Sequence, residues 1–418
     1  MDAVNVLENN KLVLFTGPPG SGKTTTLASY LRSRERGTYC YAPTGRAAQR
    51  MMEAFREQGL ALEARTIHGG LVPKRCGYDG NGWTFEYNKS RPLPADRIIV
   101  DEGSMLDNAT LLWLMEAVRT GSQLVIAGDP QQLPPVGKGK PFIDMIECEK
   151  IPHARLTEVH RFAGRGAVLL QNIQSGKPLK FSEEINLDKD AGPYGPENIV
   201  HLERATAHTA VKTLWPALQR FQARGYDLRR DVQVICCRNT AGAMSRQALN
   251  EHLSKLINPH GKGNDKTKFR KFDKVMCLKN GLREVYDMIG ETPEKGLGKI
   301  YVANGEGGII RYVDEKQIIV QFGKKALARF TLAEAAAQLD RSYAITCHKA
   351  QGGGWPCVIY MIDKSKMVDR SLIYTSLSRF QEICVTIGER STLNRQLREQ
   401  HVDHRNTLLK HDLVQGIL

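Results

Sequence analysis

A chain of 418 residues is longer than one ordinary core and predicts two to four domains. With 41% hydrophobic and 25% charged residues it has a globular balance, and no apolar run approaches the ~18 residues of a membrane span. A formal net charge of +14 and a pI near 9.3 favour a polyanionic partner. The opening "MDAVNVLENNKLVLFTG" has an acid at its second position and no basic segment before its apolar part, which predicts no secretory leader. Nine cysteines, an odd number without zinc spacing, read as core thiols in a reducing cytoplasm.

The first strong element is "KLVLFTGPPGSGKTTTLASYL", a β-branched and aromatic strand, a glycine-rich turn and a helix. Gly17, Gly22, Lys23 and Thr24 satisfy the G-x-x-x-x-G-K-[ST] spacing in its strand–loop–helix context. Such a loop, here Gly17, Pro18, Gly20, Ser21, Gly22, Lys23, Thr24 and Thr25, turns backbone N–H groups toward phosphate oxygens at a helix N-terminus. Lys23 reaches the β- and γ-phosphates, and the Thr24 hydroxyl ligates Mg²⁺. The expected ligands are ATP and Mg²⁺.

"DRIIVDEGSMLD" places Asp101 and Glu102 at the C-terminal end of a buried strand, the edge where open α/β sheets bind ligands. Asp101 is expected to hold Mg²⁺ and Glu102 to polarise the attacking water. "QLVIAGDPQQLPPVG" ends a further strand with Asp129 and Gln132, and "LTEVHRF" offers Arg161 as an arginine finger.

Taken with "YAPTGRAAQRM" and "ARTIHGGL", these segments in this order resemble superfamily 1 helicases of the RecD/Dda branch. "VQVICCRNTAGAMSRQALNEHL", "FDKVMCLKNG", "VANGEGGII", "YAITCHKAQGG" and "IYTSLSRF" extend the resemblance over nearly the whole chain. It implies an α/β fold with two RecA-like parallel-sheet motor domains, a β-hairpin pin and an SH3-like β-barrel. The expected division is 1–68 with 96–165, a pin region 69–95, a second motor domain 166–263 with 341–418, and a barrel 264–340. The resemblance further implies an ATP-dependent DNA helicase moving 5′→3′ on single and forked strands as a monomer, alongside replication or recombination proteins. Pro43, Thr44, Thr66 and His68 would touch the strand from the first motor domain, and Thr346, His348 and Gln351 from the second. Arg379 would be a second arginine finger. Gly354 stands where the family commonly carries a Glu.

Within 69–95, "GYDGNGWTFEYNK" has a turn signal followed by alternation that puts Trp83, Phe85 and Tyr87 on one face. Trp83 and Phe85 are expected either to stack on a base at the fork or to pack against their own domain. Residues 262–283 hold eight Lys or Arg against two Asp, a solvated loop or a phosphate-backbone contact. An RNA-directed helicase and an ATPase that only gates strand release remain open alternatives.

Overall fold

The computed structural model describes residues 3–76, 82–158, 165–181, 183–184, 199–323, 327–405 and 407–416, without the side chains of residues 76, 82, 83, 165, 183, 184, 403 and 404. Two compact units result, Met1–Ala167 with Gln400–Leu418, and Val168–Glu399.

The first unit contains strands β1 (Leu12–Thr16), β2 (Thr38–Ala42), β3 (Ala64–Thr66), β4 (Pro73–Cys76), β5 (Gly82–Phe85), β6 (Arg97–Val100), β7 (Gln123–Gly128) and β8 (His153–Arg155). Six of them form a parallel sheet in the order β3-β2-β6-β7-β1-β8. Helices cover both faces, so its middle strands are apolar throughout rather than alternating; every residue of Gln123–Gly128 is buried. Val13 and Phe15 enter one core with Leu27, Met51 and Phe55. Leu14 enters the other with Ile98, Val100, Ile126 and Phe142. Strands β4 and β5 make a separate antiparallel hairpin inside the region expected to hold the pin.

In the second unit come β9 (Glu183–Glu184), β10 (Ile199–Glu203) and β11 (Val232–Cys236). An insertion follows with β12 (Lys274–Cys277), β13 (Gly281–Ile289), β14 (Thr292–Val302), β15 (Gly307–Val313), β16 (Gln317–Phe322), β17 (Leu327–Thr331) and β18 (Leu339–Arg341). The chain then returns through β19 (Ala344–Thr346), β20 (Trp355–Met361) and β21 (Phe380–Gly388). The parallel sheet runs β19-β11-β20-β21-β10-β9, and the insertion is a seven-stranded antiparallel sheet ordered β14-β13-β17-β16-β15-β12-β18. Its base is tied down by Asp273, fully buried, which accepts from Asn258 at 2.9 Å, Tyr343 at 3.1 Å and the Arg270 N–H at 3.0 Å. Such a carboxylate persists only because its oxygens are satisfied.

One expected boundary is corrected. Residues 400–416 fold with the first unit, not with the second. Arg405 donates to the carbonyls of Gly137 (3.0 Å) and Gly139 (2.9 Å), and Thr407 donates to buried Asp144 at 3.0 Å. Lys410 pairs with Glu147 at 3.0 Å, and Leu413 packs into the Phe142 core.

Candidate functional site

In the first unit the residues singled out by their motifs leave one edge of one sheet. Strand β1 opens into the phosphate loop, β2 into Pro43 and Thr44, β3 into His68, β6 into Asp101 and Glu102, and β7 into Asp129 and Gln132. A parallel sheet directs all its strand ends this way, which brings residues distant in sequence to one crevice.

The loop has the backbone that a phosphate cradle needs. Gly20 and Gly22 have φ of 81° and 82°, values that an L side chain rarely adopts. A Cβ on Gly17 would lie 2.4 Å from Ser21 Oγ. Lys23 begins the helix Lys23–Leu31, and its ammonium donates to the loop carbonyls of Gly17 at 2.5 Å and Pro18 at 3.2 Å. Ser21 Oγ is buried without a hydrogen-bond partner among the described residues, as is Ser104 Oγ after the acidic pair. Orphaned hydroxyls at this density are uncommon in native interiors. An open cradle, an ammonium above it and an unpartnered hydroxyl fit a nucleotide triphosphate.

Asp101 follows β6, with its N–H on Tyr41 O at 3.0 Å and an oxygen accepting from the Glu102 N–H at 2.8 Å. Burial, then the Glu102 charge, pushes its carboxyl up to about 6, against the opposing pull of Lys23. A carboxylate that resists ionisation for lack of countercharge is suited to a cation. Glu102 has a left-handed backbone, φ 56° and ψ 41°, which is strained for a residue with a side chain. The next residue shows why the turn is so tight, because a Cβ on Gly103 would lie 2.6 Å from Ile126. Asp129 and Gln132 are buried, and Asp129 accepts from the Gln131 N–H at 3.0 Å. Arg161 lies outside the described residues.

Thr44 lies two residues after β2 and Thr66 ends β3, and each caps a helix, accepting from the N–H of Ala47 at 3.2 Å and of Gly69 at 3.0 Å. A hydroxyl accepting in this way still has its own hydrogen to donate. His68 is exposed, and its ring stands 5.8 Å from Phe85 and 5.6 Å from Trp113, which are 5.1 Å from each other. Trp113, which the motifs did not single out, thus completes a ring cluster. Its helix segment "LLWLM" is apolar on every face and gave no local signal. Phe85 and Tyr87 pack against the Leu14 and Phe142 core, so the packing expectation holds for these two rings. They also line, with His68 and Trp113, a cleft of about 320 Å³. The Trp83 side chain lies outside the described residues.

In the second unit Thr346 ends β19 and precedes the one-turn helix Cys347–Ala350, whose first turn no side chain caps. His348 is exposed. Gln351 is 6% exposed, and its Nε2 has no partner among the described residues. Arg379 is buried, with Nε on the Thr375 carbonyl at 2.8 Å.

The basic run 262–283 is mostly spent on the protein itself. Lys266 pairs with Glu315, Lys268 with Asp340, Arg270 with Asp273, Lys271 with Glu291 and Arg283 with Glu334, all within 3.6 Å. Lys274 is buried on the Val232 carbonyl at 2.9 Å. Lys262 and Lys279 are left for solvent or a phosphate.

Comparison with known proteins agrees with this arrangement. A family described as an AAA domain matches residues 2–192, and one described as a UvrD-like helicase C-terminal domain matches residues 341–385. The ATP-dependent RecD2 DNA helicase of Deinococcus radiodurans is 28% identical over 412 residues, 96% of this chain and 50% of that protein. The RecBCD enzyme subunit RecD of Mycolicibacterium smegmatis is 26% identical over 446 residues, 96% of this chain and 72% of that subunit. The chain thus spans half the length of the first of these relatives. The crystal structure of Pif1 helicase from Candida albicans has the same fold, with a TM-score of 0.51 at 19% identity over 94% of this chain and 96% of that one. With an AAA domain over residues 2–192, a UvrD-like helicase C-terminal domain over residues 341–385 and RecD relatives along 96% of its length, the chain is similar to superfamily 1 helicases of the RecD type.

Proposed function

We propose that this protein is an ATP-dependent DNA helicase that moves 5′→3′ along a single strand and opens duplex DNA at a fork. The observation that carries the proposal is the shared edge of the first sheet, where Lys23, Asp101 and Glu102 leave the same side as Thr44 and His68. Hydrolysis and strand contact are thereby built on one rigid element.

In this reading the backbone of Gly17, Pro18, Gly20, Ser21, Gly22 and Thr25 orients the phosphates, and Lys23 holds the β- and γ-oxygens. Thr24 and Asp101 would hold Mg²⁺, which supplies countercharge for the transferred phosphoryl group. Glu102 takes the proton of the attacking water. Gln132 orients that water, and Arg161 and Arg379 stabilise the charge that develops. Pro43, Thr44, Thr66, His68 and Trp83 grip the strand from the first unit, and Thr346, His348 and Gln351 from the second. Hydroxyls, an imidazole and stacking rings suit a strand gripped without regard to sequence. The insertion is assigned as the SH3-like barrel, the β4–β5 hairpin as the pin, and the working form as a monomer.

The test is ATP-driven release of a labelled strand from two matched DNA duplexes, one with a 5′ tail and one with a 3′ tail. Release from the 5′-tailed duplex alone is expected. Release from the 3′ tail overturns the polarity. No release from either, with hydrolysis stimulated better by RNA than by DNA, overturns the substrate.

A further inference from the structure

The segment that carries Thr346, His348 and Gln351 is a single turn of helix, Cys347–Ala350. One turn cannot hold itself, because fixing its backbone costs more than its few hydrogen bonds return. Its anchors are therefore external. On the buried side, β19 is registered on β11, with Cys236 opposite Thr346. Asn250 grips Ala344 twice, accepting from its N–H at 3.0 Å and donating to its carbonyl at 2.7 Å. On the exposed side Lys349 reaches outward, and its ammonium donates to Asn304 Oδ1 at 3.0 Å.

Asn304 lies in the turn between β14 and β15. Its N–H donates at 2.7 Å to Asn280 Oδ1, in the turn between β12 and β13. The two turns are locked together, with the Gly305 N–H on Cys277 O at 2.8 Å and the Cys277 N–H on Glu306 O at 2.9 Å. The buried Glu306 carboxylate accepts from the Ala303 N–H at 2.9 Å. Asn304 is thus a fixed post at one end of the insertion.

We propose that Asn304, itself set by Asn280, is a positioning residue that fixes the His348-bearing turn through Lys349. The inserted sheet then sets how strongly strand contact accelerates ATP hydrolysis. This inference rests on the function proposed above. Asn304 touches neither nucleotide nor strand in that assignment, so it acts only through Lys349.

The experiment compares wild-type, Asn304→Ala and Asn304→Asp proteins for ATP hydrolysis without DNA and with saturating single-stranded DNA, alongside thermal midpoints. Asn304→Ala is expected to lower the stimulated-to-basal ratio at least about fivefold. Its basal rate should stay within about twofold and its midpoint within about 2 °C. Asn304→Asp keeps an acceptor for the ammonium and is expected to restore most of the ratio. An unchanged ratio in Asn304→Ala overturns the inference. So do equal losses in both variants with lowered midpoints, which mark a folding role. Should Asn304→Ala fail to fold, Asn280→Ala is read by the same criteria. A wild-type protein whose hydrolysis ignores DNA overturns the functional reading, and this inference with it; an unchanged Asn304→Ala ratio beside a stimulated wild type overturns the inference alone.

Discussion

In the first unit Thr44 and Thr66 cap the helices that follow their strands. In the second unit Thr346 ends β19 and caps nothing, and among the described residues nearby Gln351 keeps a buried donor unpartnered. The first edge is therefore organised by its own hydrogen bonds, with left-handed backbone at Glu102 and Val72. At Thr346 the second edge lacks that cap, and its turn is anchored by Asn250 and Asn304 instead. The difference teaches that equivalent residues in two related sheets can play unequal parts, one a fixed platform and the other an adjustable contact.

The comparison can be broken most forcefully at the platform. Lys23→Ala is expected to reduce kcat by about 10²–10³-fold with DNA affinity retained; near-normal turnover would remove the phosphate loop from the site. A smaller effect runs the other way in stability. The Asp101 carboxyl is held up to about 6, above the ordinary ~3.9, so its charged form weakens the fold and the penalty grows as pH rises between those values. Asp101→Asn should therefore match wild type in unfolding free energy near pH 4 and exceed it above pH 6, by about 3 kcal/mol at most. A variant no more stable at pH 7 would show that the carboxylate is already neutralised.

Phe85→Ala tests packing against stacking. Loss of about 2 kcal/mol of stability, with ATPase and unwinding falling together, is expected from a half-buried ring against His68 and Trp113. Selective loss of unwinding would restore the wedge. The smallest effect sharpens the comparison most directly. Thr44→Ala should cost about 1 kcal/mol as a lost cap, and Thr346→Ala less than about 0.5 kcal/mol. Equal costs in denaturant titrations would erase the distinction between the two edges.

The phosphate loop and the Asp101–Glu102 pair were legible because each is a local pattern, a spacing and a strand end. What distance brings together was not. Trp113 joins His68 and Phe85 only through the fold, and its apolar helix gave no sign of it. The basic run 262–283 looked available because its carboxylates lie elsewhere, Glu315, Asp340 and Glu334 among them. The hairpin β13–β14 passed unnoticed for another reason. Most of β14 is exposed on both faces, so the two-residue alternation that marks a half-buried strand is missing. Residues 400–416 carry no motif, and polar contacts together with the packing of Leu413 join them to the first unit.

That return of the chain has a mechanical consequence. The second unit is spliced into the first, so two covalent tethers join them. One crosses between Ala167 and Val168 and the other between Glu399 and Gln400. The first crossing runs inside the helix Arg165–Gln174, which is stiffer than an extended linker. Cutting either tether alone therefore leaves the two units covalently joined through the other.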